Sequence, residues 1–233
     1  YRIYYLGLLA SVTSHQGMMA AQGWLVFDMT GEPLALGLVG AAQAIPGLIF
    51  NLLAGALADR FNPRRMIIIG EGAAALLIAF LSILVFADVV MVWHIVIIAF
   101  LIGSATSFDQ PARRVIWPVL IPRKEYVSGT ALNQGAWNGT RVIGPAISTG
   151  IIAIVGSITG DVRLGAGISF LVIAAGFVSM AVAIMFVRLP DIKRAGGWLG
   201  FRSFSQHFLA VVGTKFRHRI FRLVVPAASA RVC

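Results

Sequence analysis

The chain has 233 residues, of which 58% are apolar and only 12% are charged, and its mean hydropathy is +0.87. A soluble domain carries about 25% charged residues, so the composition excludes an ordinary water-soluble globule. Nineteen basic residues outnumber nine acidic ones, but the bases cluster between apolar runs, which favours a membrane protein over a nucleic-acid-binding domain.

Six apolar runs are long enough to cross a bilayer, which takes roughly 20 residues at a rise of about 1.5 Å each. Unpaired backbone groups are too costly in lipid, so these runs are predicted to be helices. The predicted fold class is all-α: a polytopic membrane bundle of six transmembrane helices within residues 1–187, followed by a basic segment, 188–233. The predicted spans are Tyr4–Phe27, Leu34–Ala58, Met66–Phe86, Val89–Thr106, Val127–Val155 and Leu164–Val187.

The basic residues fall almost entirely on one side of this predicted bundle. Seventeen of the nineteen lie at the N-terminus, in the helix 2–3 and helix 4–5 connections, or after helix 6, whereas Arg163 alone lies in the opposite connections. Cytoplasmic loops of membrane proteins carry such an excess of Lys and Arg. Both ends of the chain are therefore predicted to be cytoplasmic.

Polar side chains within helices 1 and 2 are candidates for a transport cavity. Gln16 follows His15 in the middle of helix 1, and Gln43 and Asn51 lie in helix 2. An unperturbed histidine titrates near neutrality, so His15 is a candidate for proton coupling, although a hydrogen-bonded packing histidine is the favoured interpretation. The two helix 2 amides are interpreted equally as interhelical hydrogen-bonding groups or as cavity-lining groups.

Glu71 enters helix 3 shortly after the basic cluster of the helix 2–3 connection. A carboxylate within a membrane segment is costly, so it is expected to face a partner or a hydrated cavity. An ion pair with Arg64 or Arg65 is the favoured interpretation, and proton coupling is the alternative.

Helix 5 carries an arginine in the middle of its length. Arg141 is 14 residues from each predicted end, where an arginine costs roughly 2.5–3.5 kcal/mol on insertion scales. Gln134 and Asn138 share its face through spacings of four and three residues. This face is predicted to line the transport path or its gate; the alternative is that Arg141 only bridges helix carbonyls. Gly144 and Pro145 follow, and the N–H that proline lacks predicts a hinge.

Sequence motifs of enzymes and of metal sites are absent. The chain has no HExxH, GxSxG or phosphate-binding loop pattern, and no His, Cys and carboxylate set has metal-ligand spacing. The single cysteine, Cys233, excludes an intramolecular disulfide. We therefore predict no enzyme activity, no cofactor, no metal and no nucleic-acid partner.

The stretch GALADRFNPRR, residues 55–65, resembles the loop between helices 2 and 3 of the major facilitator superfamily. Asn62 and Pro63 depart from that pattern, since they stand where the superfamily has a glycine and a basic residue. The matching residues are Gly55, Leu57, Ala58, Asp59, Arg60 and Arg64.

Residues 107–150 narrow the resemblance to the enterobactin-exporter-like branch, whose members are labelled transmembrane secretion effectors. The pattern is F-D-x-P-A-R in the helix 4–5 loop, then L-N, N and R-x-I-G-P-A in helix 5. Ala99, Ser148 and Thr149 depart from the superfamily's helix 4 arginine and helix 5 glycines, which weakens an antiport inference from those positions. The matching residues are Phe108, Asp109, Pro111, Ala112, Arg113, Leu132, Asn133, Asn138, Arg141, Ile143, Gly144, Pro145 and Ala146.

The resemblance implies a twelve-helix secondary transporter, of which this chain corresponds to the N-terminal six-helix half. It implies proton-driven efflux of a small amphipathic molecule, such as a siderophore or a drug, by alternating access between two halves. The expected location is the cytoplasmic (inner) membrane of a prokaryote. The expected partners are the substrate, membrane lipid and a C-terminal six-helix half, in cis or in trans.

The candidate site residues fall into a cavity set and a gate set. The gate set comprises Gly55, Asp59, Arg60, Arg64 and Arg65 in the helix 2–3 loop, with Asp109, Pro111 and Arg113 in the helix 4–5 loop. The cavity set comprises Gln16, Gln43, Asn51, Asn133, Gln134, Asn138 and Arg141.

The chain is expected to be an N-terminal fragment, with residues 188–233 forming the basic link between halves and the start of helix 7. The alternative function is a truncated membrane protein that does not transport, or a scaffold in an assembly. A natural stop after Cys233 would favour that alternative, or would require two copies of the chain to pair into a bundle.

Overall fold

The computed structural model describes residues 2–58, 62–120 and 126–187, with the backbone alone for residues 51–58, 118 and 119. In these ranges the chain forms α-helices and no strand, which confirms the predicted all-α class. The helices are α1 (Arg2–Thr30), α2 (Pro33–Ala58), α3 (Pro63–Phe86), α4 (Val92–Ser107), α5 (Asp109–Leu120), α6 (Tyr126–Thr159) and α7 (Val162–Phe186).

Part of the predicted gate lies outside the described residues. Asp59 and Arg60 are in the gap between α2 and α3, and the segment 188–233 follows the last described residue. Only the backbone is described at Asn51 and Gly55. The roles predicted for these positions stay predictions.

The membrane spans agree with the predicted bundle. α1 has 29 residues, which is enough to cross a bilayer at about 1.5 Å per residue, although its serines, histidine and glutamines make it more polar than the others. The described segments that are both long and apolar enough to cross are Pro33–Phe50, Pro63–Phe86, Val92–Trp117, Tyr126–Thr159 and Val162–Phe186.

The prediction of a loop between helices 4 and 5 is wrong, because residues Asp109–Leu120 form a helix. Asp109, Pro111 and Arg113 lie in the first turns of α5, separated from α4 by Phe108 alone. A proline is tolerated in the first turn because its missing N–H would have no partner within the helix there. α4 and α5 together form a single span with a break inside it.

Local chemistry explains where several helices begin and end. Gly31 and Gly160, with φ of +65° and +72°, adopt the left-handed backbone that commonly follows a helix. At the start of α3 the Asn62 side chain accepts a hydrogen bond from the Arg64 backbone N–H at 3.0 Å, and Pro63 follows as the first helical residue. The two departures from the superfamily loop pattern therefore form the N-terminal cap of α3.

Small residues set how closely the helices pack. α1 packs along α6 and α7, α3 along α7 and α4, and α2 along α4. A Cβ atom at Gly103 of α4 would lie 2.3 Å from the Gln43 carbonyl oxygen of α2, and one at Gly144 of α6 would lie 2.6 Å from the Thr13 carbonyl oxygen of α1. The backbones meet at these glycines, as is common in helix packing within membranes. Gly144 is thus a close-packing position, and its role as a hinge stays a prediction.

Two apolar clusters form the core. The larger one contains Phe170, Phe177 and Ile78 and joins α7 to α3 and their neighbours. The smaller one contains Tyr4 and Trp117 and brings together the start of α1, α5 and the end of α7. We call the end of the bundle that holds this smaller cluster the basic end, because Arg64 and Arg114 are also there.

Replacing Gly103 with alanine is expected to destabilise the bundle. The added methyl group would overlap the α2 backbone, and overpacking of this kind typically costs about 1–3 kcal/mol. Gly72→Ala in α3 is the matched control, since a Cβ atom there would meet no atom within 4 Å. Thermal unfolding of the purified variants in detergent measures both effects, and an equal melting temperature for the two variants would contradict the close α2–α4 contact.

Candidate transport site

Three charged side chains form a buried cluster near the basic end. Arg113 of α5 donates from Nε to the Asp109 Oδ2 atom at 2.6 Å, one turn earlier in the same helix, and from Nη2 to Glu71 Oε1 of α3. Ser11 of α1 joins them: its hydroxyl donates to Glu71 at 2.8 Å and accepts from Arg113 at 2.9 Å. We call these four residues the Arg113 cluster.

The partner of Glu71 differs from the predicted one. Arg64 and Arg65 precede Glu71 by seven and six residues, whereas side chains on one helix meet at spacings of three or four. Arg113 reaches Glu71 because α5 packs against α3. Arg64 instead donates to the backbone carbonyl of Met185, near the last residue of α7, where a cation is favourable because the carbonyls of a helix end carry partial negative charge.

The Arg113 cluster contains two acidic side chains and one basic side chain. Glu71, Asp109 and Arg113 are 2%, 3% and 6% exposed, so their charges are almost fully removed from solvent. One guanidinium faces two carboxylates, and Glu71 Oε2, Asp109 Oδ1 and Arg113 Nη1 have no hydrogen-bond partner among the described residues. Buried charges are costly unless they are paired and hydrogen-bonded, so the arrangement leaves one carboxylate without a compensating charge.

A cavity of about 280 Å³ opens beside this cluster, and we call it the inner cavity. It extends from Ser11 along α1 to His15, and Gln43 of α2 and Phe177 of α7 form part of its wall. The structure thus brings His15, Gln43, Glu71, Asp109 and Arg113 together, five of the residues singled out from the sequence. His15 lines this cavity, and its role in proton coupling stays a prediction.

A second cavity of about 430 Å³ lies closer to the basic end, and we call it the end cavity. Aromatic side chains from three helices form most of its wall, with amide and guanidinium groups between them. Asn133 and Gln134 are among its lining residues, so two more of the predicted cavity residues lie at a cavity. The aromatic lining residues are Tyr4, Trp117, Tyr126 and Trp137.

Other predicted site residues lie away from both cavities. Arg141 and Asn138 are exposed side chains of α6, and the Asn138 amide donates to the Gln134 carbonyl at 3.0 Å. Arg141 forms no ion pair with any residue in the described ranges. Gln16 and Arg65 line neither cavity. The transport role of the Arg141 face therefore stays a prediction.

Sequence reasoning did not single out Ser11, Gln110 or Trp137 as site residues. A serine and a tryptophan are ordinary in membrane helices, and only the tertiary structure brings Ser11 into contact with Arg113 and places Trp137 at both cavities. Gln110 carried a signal that could have been used, because it adjoins Asp109 within the matched pattern. Across the described part of the chain, no group of three His, Cys, Asp or Glu side chains could hold a metal ion.

Comparisons with known proteins identify a family and several relatives. The family described as transmembrane secretion effector matches residues 1–201. Macrolide efflux protein A of Streptococcus pyogenes is 26% identical over 165 residues, which cover 71% of this chain and 38% of that protein. The staphyloferrin A transporter of Staphylococcus aureus is 28% identical over 132 residues, covering 56% of this chain and 33% of the relative.

A third relative is the multidrug efflux pump Tap of Mycolicibacterium fortuitum, which is 27% identical over 191 residues. The match covers 78% of this chain and 44% of Tap. The chain therefore spans less than half the length of each of these three curated relatives. No solved structure matches the chain significantly.

Removing the arginine of the cluster is expected to be strongly destabilising. Arg113→Met leaves two buried carboxylates without a counter-charge, and breaking a buried ion pair in this way costs about 3–5 kcal/mol. Arg163→Met is the matched control, because Arg163 pairs with Asp88 at the surface, with side chains 46% and 73% exposed, and exposed pairs contribute about 0–1 kcal/mol. Similar losses of thermal stability in detergent for the two variants would contradict the burial of the cluster.

Proposed function

Because the chain belongs to the transmembrane secretion effector family of the major facilitator superfamily, we propose that it forms the N-terminal half of a secondary active transporter. The transporter exports a small amphipathic molecule, such as a siderophore or a drug, by alternating access. The relatives are a macrolide efflux protein, a staphyloferrin A transporter and a multidrug efflux pump. The family and these relatives are transporters rather than enzymes, in agreement with the absence of enzyme motifs.

The observation that carries this proposal is the inner cavity with a buried, acid-rich charge cluster on its wall. Charged side chains within membrane segments are costly, and they are typically retained at pathways for substrates, ions or protons. Apolar residues of similar size often stabilise a buried site as well as an ion pair does, so stability alone does not account for a second carboxylate beside one arginine.

The cluster also supports coupling of transport to protons. Arg113 compensates one carboxylate, so a proton on either Glu71 or Asp109 makes the cluster neutral. A neutral cluster can be sealed from water, whereas the deprotonated cluster carries an excess negative charge that needs hydration. Proton binding therefore favours the state in which this cavity is closed, and proton release favours the hydrated, open state.

The exposed polar face of α6 supports a second bundle as partner. Gln134, Asn138 and Arg141 are exposed along a membrane helix, where they cannot face hydrocarbon without a large cost. We assign this face to the interface with a C-terminal six-helix half, lined by a water-filled passage. The excess of basic residues at the basic end supports a cytoplasmic location for that end in the inner membrane.

The gate belongs to the same end. Arg64 contacts the last turn of α7, so the start of α3 and the end of α7 are tied together. In the proposed transporter Asp59 and Arg60 help to close the cytoplasmic side. Membrane lipid and the substrate are the other partners, and the transport cycle needs no cofactor.

Glu71→Gln and Asp109→Asn are expected to uncouple export from the proton gradient. Each removes one titratable carboxylate while preserving side-chain size, so energised efflux should fall at least about tenfold, the effect of about 1.4 kcal/mol on a barrier. The measurement is efflux of a macrolide, of staphyloferrin A and of a multidrug panel from cells that express the complete natural polypeptide. Asp88→Asn, a change in the exposed pair at the opposite end, should leave efflux unchanged.

Unchanged efflux in both cluster variants would refute proton coupling at these carboxylates. Failure of the unmodified polypeptide to export any probe, despite normal insertion, would favour the non-transporting scaffold. Loss of efflux in all three variants would point to a general effect on folding and would contradict a specific role for the cluster.

Arg141→Leu is expected to abolish export, whereas Arg141→Lys should retain part of it. A positive charge in the passage is preserved in the second variant, although the planar guanidinium is not. Val142→Leu is the matched control, because Val142 is the next residue of α6, is 73% exposed and is uncharged. Equal and full export by both Arg141 variants would show that the charge is not needed.

A further inference from the structure

The inner cavity and the end cavity share a wall. Three residues line both of them, namely Gln110, Arg113 and Trp137. Along α1 the end cavity touches Tyr4 and Leu8, whereas the inner cavity touches Ser11 through Met19, so the two cavities lie at successive depths. A molecule that moves from the basic end to the inner cavity along this wall passes these three side chains.

Arg113 is fixed within this wall. It is tied to Asp109, Glu71 and Ser11 and is 6% exposed. A rotation of its side chain would break two buried ion pairs, which is a large cost. Arg113 therefore forms the rigid part of the wall, and any opening must come from the other two side chains.

Trp137 has the largest side chain of the three residues that line both cavities, and it is held by packing rather than by ion pairs. It is partly buried, it packs at the edge of the apolar cluster that contains Tyr4 and Trp117, and no hydrogen bond joins its indole to a described residue. Packing without a hydrogen bond leaves the ring free to change rotamer when its neighbours shift. Gly135 and Gly139 flank it on the same helix, and a Cβ atom at either glycine would meet no atom within 4 Å.

The position of Trp137 differs from that of a tryptophan that anchors a helix at the membrane surface. Trp93 has the position of such an anchor: it is 55% exposed and stacks on His94 at the opposite end of the bundle. Trp137 instead lines both cavities and packs against the apolar cluster that contains Tyr4 and Trp117. Its ring therefore blocks space inside the bundle and does not serve as a lipid contact.

We propose that the indole of Trp137 is a movable partition between the end cavity and the inner cavity and limits the size of the molecules that pass. The proposal rests on the transport function proposed above, because it assigns one step of the path to one side chain. Small polar molecules pass beside the ring through the space near Gln110, whereas bulky ring-bearing molecules require the ring to rotate away. Trp137 is thus a size-selecting residue, and its removal should widen the range of molecules that reach the inner cavity.

Cysteine labelling tests this partition without knowledge of the natural substrate and without transport. Cys233 is the one cysteine among these 233 residues, so replacing Cys233 and every cysteine of the C-terminal half with serine gives a background in which one reporter can be introduced. Gln43→Cys reports on the inner cavity, and Asn133→Cys reports on the end cavity. The complete polypeptide in inside-out membrane vesicles is treated with aminoethyl methanethiosulfonate, which is small, or with its biotinylated long-chain derivative, which is bulky.

The expected result is a selective gain for the bulky reagent. The rate at which the bulky reagent labels Gln43→Cys should be about tenfold or more higher in Trp137→Ala than in the protein that keeps Trp137. This corresponds to a barrier lowered by about 1.4 kcal/mol. The increase should be smaller in Trp137→Phe. The rate at Asn133→Cys should not change in either variant, which shows that the basic end is accessible and that the bundle is intact. The small reagent should label both positions at similar rates whether or not Trp137 is present.

Three outcomes would overturn the proposal. The bulky reagent could label Gln43→Cys at the same rate with and without the indole. Its rate could rise equally at both reporters, which indicates general loosening of the bundle. Gln110→Ala could reproduce the whole effect, which would assign the partition to the amide. A Trp137-dependent rate in a polypeptide that exports no probe would support the partition while refuting the transport function.

Discussion

The pairing of Arg113 with two buried carboxylates is the constraint on which the basic half of this bundle depends. The pairs join α3 to α5, and the hydroxyl of Ser11 brings in α1. These groups lie in apolar surroundings, where an unpaired buried charge costs several kcal/mol. They are therefore held in contact with each other. The cluster therefore fixes the position of α5 relative to α1 and α3, and the position of α5 in turn defines both cavities.

The apolar core alone would not give the same result. Leucine, isoleucine and valine gain little from contact with each other rather than with lipid, so helix association in a bilayer depends on close packing and on polar contacts. Gly103 and Gly144 supply the close packing between α2 and α4 and between α1 and α6. The Arg113 cluster supplies the polar contact where α5 joins. Close packing at the glycines and ion pairing at the Arg113 cluster thus hold different helices together.

The sequence predicted the helices well and the contacts between them poorly. The length of an apolar run is a local property, so the spans could be predicted directly from the sequence. The pairing of Glu71 could not be read, because its partner is 42 residues away and is chosen by tertiary packing. The helical state of Asp109 to Leu120 was missed because a proline and several charges normally indicate a loop. Trp137 was missed because its role depends on the cavities at either side of it.

The distance between Glu71 and Arg113 along the chain has a consequence for biosynthesis. A protein is made from its N-terminus, so Glu71 of α3 leaves the ribosome before Arg113, which follows it by 42 residues. During that interval the carboxylate has no counter-charge, and it must either hold a proton or remain close to the membrane surface. Final insertion of α3 and the folding of α5 are therefore linked events, and the order of translation becomes part of how this bundle assembles.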